Sequence, residues 1–185
     1  MKFPLYAIVL LFVFSCKDDY SIKPVGQVRL EYPDPSYQKF AADCPYTFEY
    51  STLSIASEKD KPCWYVLNYP NMKANIYLTY FQIDGKGDLA VKIKDSEKFV
   101  QEQTVKASYI SPREFTFDDK KVYGTLFELG GDAAINLQFH ATDSLNNLIS
   151  GSVYFSTPPK YDSLQPAIQY LKNDVMHLIE TLEWK

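Results

Sequence analysis

The sequence is short of the residues that do covalent chemistry. Its 185 residues hold two histidines and three cysteines. His140 and His177 stand 37 residues apart, whereas a zinc site draws three or four ligands from short spacings, so no metal centre is expected. No CxxC pair occurs, and no GxSxG stretch offers a strained nucleophile turn. Asp84-Gly85-Lys86-Gly87-Asp88 matches neither an EF-hand nor a P-loop spacing and reads as a glycine turn. Basic residues are the minority, 19 against 23 acidic, which argues against nucleic acid or an anionic membrane face as partner, since both need a basic patch. His140, Asp143 and Ser144 lie close together, but a strand histidine running into a capped turn explains them more simply than a hydrolase triad, which assembles in space around an oxyanion hole. The acidic residues form no diagnostic pair for glycoside hydrolysis. No catalytic residue and no cofactor is expected.

Long apolar runs are also missing. A membrane-spanning helix needs about 20 apolar residues; the longest run, Phe3 to Phe14, has 12 and is broken only by Pro4. With Met1 and Lys2 before it, that run has the layout of a secretory signal rather than a permanent anchor. A buried N-terminal strand is the competing reading. The junction Val13-Phe14-Ser15-Cys16 followed by Lys17-Asp18-Asp19 favours a lipoprotein processing site, with cleavage between Ser15 and Cys16 and acylation of Cys16. Palmitate-type chains there give firm anchoring, since each buried methylene adds about 0.8 kcal/mol.

The expected layout is a signal peptide over 1–15, an acylated cysteine and polar tether over 16–24, and one globular domain over 25–185. Eight extended tether residues reach about 26 Å. Without Lys2 the balance is 18 basic against 23 acidic residues, or −5. Cys16 being lipidated, Cys44 and Cys63 remain. In an oxidising compartment two thiols in one domain pair, and closing a loop of about 20 residues stabilises by roughly 3 kcal/mol. A reactive thiol with His140 or His177 as base is the alternative; the flanking Pro45 and Pro62 speak against it.

Periodicity sets the fold class. Residues 26–32 alternate as a half-buried strand that Pro33 and Pro35 end. Residues 44–50 are aromatic and extended, 57–61 a charged loop, and 64–69 a strand. Residues 74–83 are apolar on both faces, which predicts a central strand covered on both sides. A helix is expected over 95–108, capped by Asp95 or Ser96. Strands follow at 115–117, 122–129, 133–141 and 148–156, the last three as an antiparallel meander. Leu164, Ile168, Leu171, Val175, Leu178 and Leu182 recur at steps of four and three, the stripe of a long amphipathic helix that Asp162 or Ser163 caps. The class is α+β: an antiparallel sheet with a long C-terminal amphipathic helix and a second, shorter helix packed on it.

Aromatics are abundant: 15 Tyr, 12 Phe and 2 Trp. Tyrosine gives flat area with a polar tip, suited to protein interfaces and sugar platforms, although sheets of exported proteins carry such residues without binding anything. Tyr46, Tyr50, Trp64, Tyr77 and Phe81 are the candidate interaction aromatics.

Nine stretches in this order resemble the gliding-motility lipoprotein GldD family of Bacteroidetes. They are Cys44 to Tyr50 (CPYTFEY), Pro62 to Trp64 (PCW), Val122 to Gly124 (VYG), Gly130 to Ala134 (GGDAA), Gln138-Phe139, Thr142 to Ser144 (TDS), Gly151 to Phe155 (GSVYF), Asp162 to Leu164 (DSL) and Glu180 to Trp184 (ETLEW). The resemblance runs from about Lys23 to Lys185. Pro24-Val25-Gly26-Gln27 departs from it, where a basic residue and an aromatic are expected. It implies a role in the envelope machinery of gliding and type IX secretion, with other envelope proteins as partners, the lipid anchor as sole membrane contact, and no enzymatic activity. The expected location is extracytoplasmic, at the outer membrane. Lys17-Asp18-Asp19 resembles the signal that sends lipoproteins of that phylum to the cell surface, although a solvated tether needs the same charges. A carbohydrate- or peptidoglycan-binding module, or a cryptic hydrolase, is the alternative function.

Overall fold

The structure is a computed structural model that describes residues 32–157 and 161–185. The cleavage point at Ser15 and Cys16, the charges of Lys17, Asp18 and Asp19, the tether and nearly all of the expected strand at 26–32 lie outside the described residues.

A seven-stranded antiparallel sheet forms the middle layer. In space its strands run β4 (Ile55–Glu58), β5 (Tyr65–Tyr69), β6 (Ala74–Gln82), β10 (Asn147–Phe155), β9 (Ile135–Thr142), β8 (Val122–Gly131) and β7 (Ala107–Phe117). The three meander strands pair as the alternation predicts, with Phe139 opposite Gly151 and Leu126 opposite Phe139. Two small ribbons flank the sheet: β1 (Tyr37–Lys39) with β3 (Glu49–Ser51), and β2 (Tyr46–Thr47) with β11 (Glu183–Trp184).

The two helices lie on opposite faces. Helix α2 (Tyr161–Thr181) buries Ile168, Leu171, Val175, Leu178 and Ile179 against Leu67, Ile76, Leu78, Leu137, Phe139 and Ile149. Each such side chain contributes about 1.5–3 kcal/mol, so this face holds the main core. Pro166 sits in the second turn of α2, five residues after Tyr161. Helix α1 (Gly85–Glu102) covers the other face through Ser96 and Val100, beside a small cluster of Leu129 and Ala133.

Three expectations need correction. The shorter helix begins at Gly85, ten residues before Asp95, and ends at Glu102. Asp84-Gly85-Lys86-Gly87-Asp88 is therefore mostly first turn. Gly85 takes φ +79°, which swings the chain out of β6, and Asp88 accepts the Asp84 N–H at 3.2 Å. Strand β7 has 11 residues and starts at Ala107. Its Pro112 is tolerated because β7 is an edge strand, where a missing N–H breaks no ladder. Ser57 and Glu58 belong to β4 rather than to a loop.

Candidate functional site

Strand β6 divides the molecule chemically. Ala74, Ile76 and Leu78 point into the α2 core; Asn75, Tyr77, Thr79 and Phe81 point the other way. Helix α1 lies over β9 and leaves this second face of β6 and part of β10 open. The expectation that β6 is covered on both sides thus holds on one side only. On the other is a cleft of about 700 Å³, within the range of small-molecule sites.

The walls are aromatic. Trp64 enters from the start of β5 and is fixed by its Nε1–H, which donates to the Tyr80 carbonyl at 2.8 Å. Its ring meets Phe81 edge-on with centroids 6.1 Å apart. Tyr77 and Tyr154, from the paired strands β6 and β10, stand perpendicular at 5.5 Å. Phe99 of α1 closes the far side and is 52 % exposed. Lys61 lies 4.7 Å over the Trp64 ring and Lys92 lies 5.4 Å over Phe81, both cation–π distances.

The floor is polar. Ser96 of α1 and Ser150 of β10 share a hydrogen bond of 2.9 Å, and the Gln138 amide donates to both at 3.2 Å. Ser152 donates to the other end of that amide. Gln138 is 1 % exposed, so a buried amide is satisfied by three hydroxyls and pins α1 to the sheet. Asn75 accepts from Asn68 at 2.7 Å. Asp95 is the one carboxylate among the lining residues and Lys92 the one ammonium. Burial pushes the Tyr154 phenol up.

Of the five candidate aromatics, the cleft gathers Trp64, Tyr77 and Phe81. Tyr46 is a correction: it is fully buried, stacked beside Phe40 and Phe48, and its hydroxyl donates to the Cys63 carbonyl at 2.7 Å. Burial drives its phenol far above the ordinary range. Tyr50 is half-buried against the same rings. Cys44 and Cys63 form a disulfide with Cα atoms 5.6 Å apart, next to that cluster.

His140, Asp143 and Ser144 make no triad. His140 is buried on β9 near Phe127, and burial lowers its pKa. The Asp143 carboxylate caps its own turn, accepting the backbone N–H groups of Leu145, Asn146 and Asn147 at 2.8–2.9 Å. Those bonds hold its pKa below the ordinary value against the opposing effect of burial. Among the described residues no group of three His, Cys, Asp or Glu side chains could hold a metal ion.

Sequence reasoning missed Phe99 and Tyr154. A signal existed for Tyr154: it shares a β10 face with Ser150 and Ser152, opposite the core residues Gly151 and Val153. Asp174 was also missed. It is 3 % exposed inside the α2 stripe and accepts the hydroxyls of Tyr69 at 3.0 Å and Tyr37 at 3.1 Å.

No helix among the described residues is long and apolar enough to cross a membrane. No curated protein matches the chain. A family profile described as gliding motility lipoprotein GldD matches residues 17–184. That family is not a known enzyme family, and its lipoprotein character puts the protein at a membrane, outside the cytoplasm. With nearly its whole length matched, the chain belongs to the gliding motility lipoprotein GldD family.

Proposed function

We propose that this protein is a non-enzymatic component of the gliding and type IX secretion machinery, held at the outer membrane by lipid on Cys16 and acting by contact with other envelope proteins. The observation that carries the binding mode is the cleft between α1 and the sheet. It is concave and aromatic, yet its lining has one carboxylate, Asp95, and no histidine or cysteine. General acid–base hydrolysis of a glycoside uses two carboxyl groups, so the site is built to hold rather than to cleave. Protein contacts fall to the α1 side, where Val91, Phe99 and Val105 are 54 %, 52 % and 90 % exposed. Cleavage after Ser15 frees the Cys16 α-amino group for acylation beside its lipid-bearing thiol, and Lys17, Asp18 and Asp19 are the charges from which the leaflet is selected.

Photo-crosslinking in cells from positions 91 and 105 tests this. The expected product is an envelope protein whose own loss stops gliding or type IX secretion. A deletion strain that glides and secretes normally would overturn it.

The carbohydrate reading is favoured by the same cleft, because Trp64, Tyr77 and Tyr154 offer ring faces beside hydroxyl groups. Its hydrolase version has no support from a lining with a single carboxylate.

A further inference from the structure

We infer that the cleft between α1 and strands β6 and β10 is a binding site for a neutral oligosaccharide. This rests on the proposal that the protein binds rather than catalyses. It adds a ligand of defined chemistry at a place separate from the exposed Val91 and Val105.

Charge narrows the ligand first. The lining carries Lys92 and Asp95, one of each sign, and Lys61 lies over the Trp64 ring. A phosphate, a nucleic acid or a uronic acid chain would meet one opposing carboxylate and two ammonium groups already turned onto the Trp64 and Phe81 rings, too little to offset loss of its hydration. A cation finds the Trp64 and Phe81 faces already held by the Lys61 and Lys92 ammonium groups, which repel it. The ligand is uncharged.

Polarity narrows it further. An acyl chain would fill the aromatic walls but lie on the Asn75 amide, Thr79 and the Tyr77 and Tyr154 hydroxyls. Each polar group buried without a partner costs about 1–3 kcal/mol. Among the described residues neither the Tyr77 nor the Tyr154 hydroxyl has a protein partner, and the Asn75 amide donates to none. A ligand with hydroxyls at its rim and C–H groups on its faces satisfies both sets. Pyranose rings have that distribution: C–H faces lie on Tyr77, Tyr154 or Trp64, while equatorial hydroxyls reach Asn75, Asp95 and the phenols. A peptide strand would instead seek a sheet edge, and the cleft floor is made of strands whose N–H and C=O groups are already paired.

The site is also preformed. Trp64 is locked by its bond to Tyr80, Tyr77 by its perpendicular contact with Tyr154, and α1 by the Gln138 junction to Ser96 and Ser150. Little side-chain ordering remains for binding to supply. Such an oligosaccharide has two sources in an envelope, the N-acetylated glycan strand of the wall and plain polysaccharide outside it.

The test is calorimetry and tryptophan fluorescence on the full-length lipoprotein in phospholipid nanodiscs. The probes are tetra-N-acetylchitotetraose, cellotetraose and tetragalacturonate. One neutral probe is expected to bind and shift the Trp64 emission; which one does so identifies the source. Tyr77→Ala and Tyr154→Ala should each weaken binding about tenfold, equivalent to about 1.4 kcal/mol, and Thr125→Ser, outside the cleft, should not. A thermal melt of each variant separates lost binding from lost fold; where Tyr77→Ala unfolds, Tyr77→Phe takes its place and should weaken binding by removing the hydroxyl alone. Binding of tetragalacturonate in preference, no binding of either neutral probe, or binding insensitive to every folded cleft variant would overturn the inference. A positive photo-crosslink at position 91 alongside no saccharide binding would remove this inference and leave the protein-contact proposal standing.

Discussion

Replacing Asp174 tests how the N-terminal ribbon is held to α2. The carboxylate is buried, and it takes the Tyr69 and Tyr37 hydroxyls on its two oxygens. Burial raises its pKa above the ordinary 3.8, while Tyr69, Tyr37 and Ser51 pull it back. The net direction is upward, so desolvation outweighs the hydrogen bonds at neutral pH. Tyr37 responds in turn, its phenol pushed up to about 12 by its own burial and then by Asp174. Asp174→Ala removes two bonds to a charged acceptor, each about 1.5–3 kcal/mol. Tyr37 is only half-buried and can turn to water, and the burial of a charge is relieved. What remains is mainly the unpaired Tyr69 hydroxyl, which is 2 % exposed, and a loss of about 2–3 kcal/mol. For a domain of this size that lowers Tm by about 5–10 °C. Asp174→Asn keeps an acceptor and should stay within about 1 kcal/mol of wild type. The pH dependence has a definite sign. A carboxyl whose folded pKa is raised costs stability above that value, and the cost fades as pH falls through it toward 3.8. Wild type should therefore gain on Asp174→Asn as urea unfolding is repeated from pH 7 down to about pH 4. An alanine variant as stable as the asparagine one at pH 7, or a wild-type to asparagine gap that ignores pH, would refute the reasoning.

Three further outcomes are expected. Non-reducing mass spectrometry should find Cys44 linked to Cys63, and replacing both with serine should cost about 2–4 kcal/mol in urea unfolding; two free thiols in the native protein would contradict the pairing. Gly124→Ala should destabilise by about 1–3 kcal/mol or more, because its Cβ would fall 1.9 Å from the backbone oxygen of His140 on the neighbouring strand, and a backbone atom cannot rotate aside. Cys16→Ser should release the protein from membranes on cell fractionation; continued anchoring would show that another segment holds it.

The α2 side of the fold was legible because one physical rule decides it. The stripe from Leu164 to Leu182 has one partner surface, and the alternation of Ile135, Leu137 and Phe139 points to that surface without ambiguity. The α1 side was not legible for the opposite reason. Its helix meets the sheet through Ser96, a buried amide and a single buried valine, Val100, so the contact leaves no apolar period, and two glycines in its first turn disguise its start. The same polar junction hid half of the cleft. Tyr77 and Phe81 announced themselves as aromatics on the wrong face of a buried strand; Phe99 on a weakly amphipathic helix did not. Tyr46 shows the limit of counting tyrosines. Its phenol finds a carbonyl inside the core, and composition cannot tell that tip from one in water.

The most direct measurement of the claim that the α1 cleft is a working site, beside the contact surface at Val91 and Val105, is complementation of a deletion strain with Tyr77→Ala/Tyr154→Ala. With the variant folded, lipidated and present at wild-type level, gliding or type IX secretion should fail to recover. Full recovery by that variant would contradict the claim.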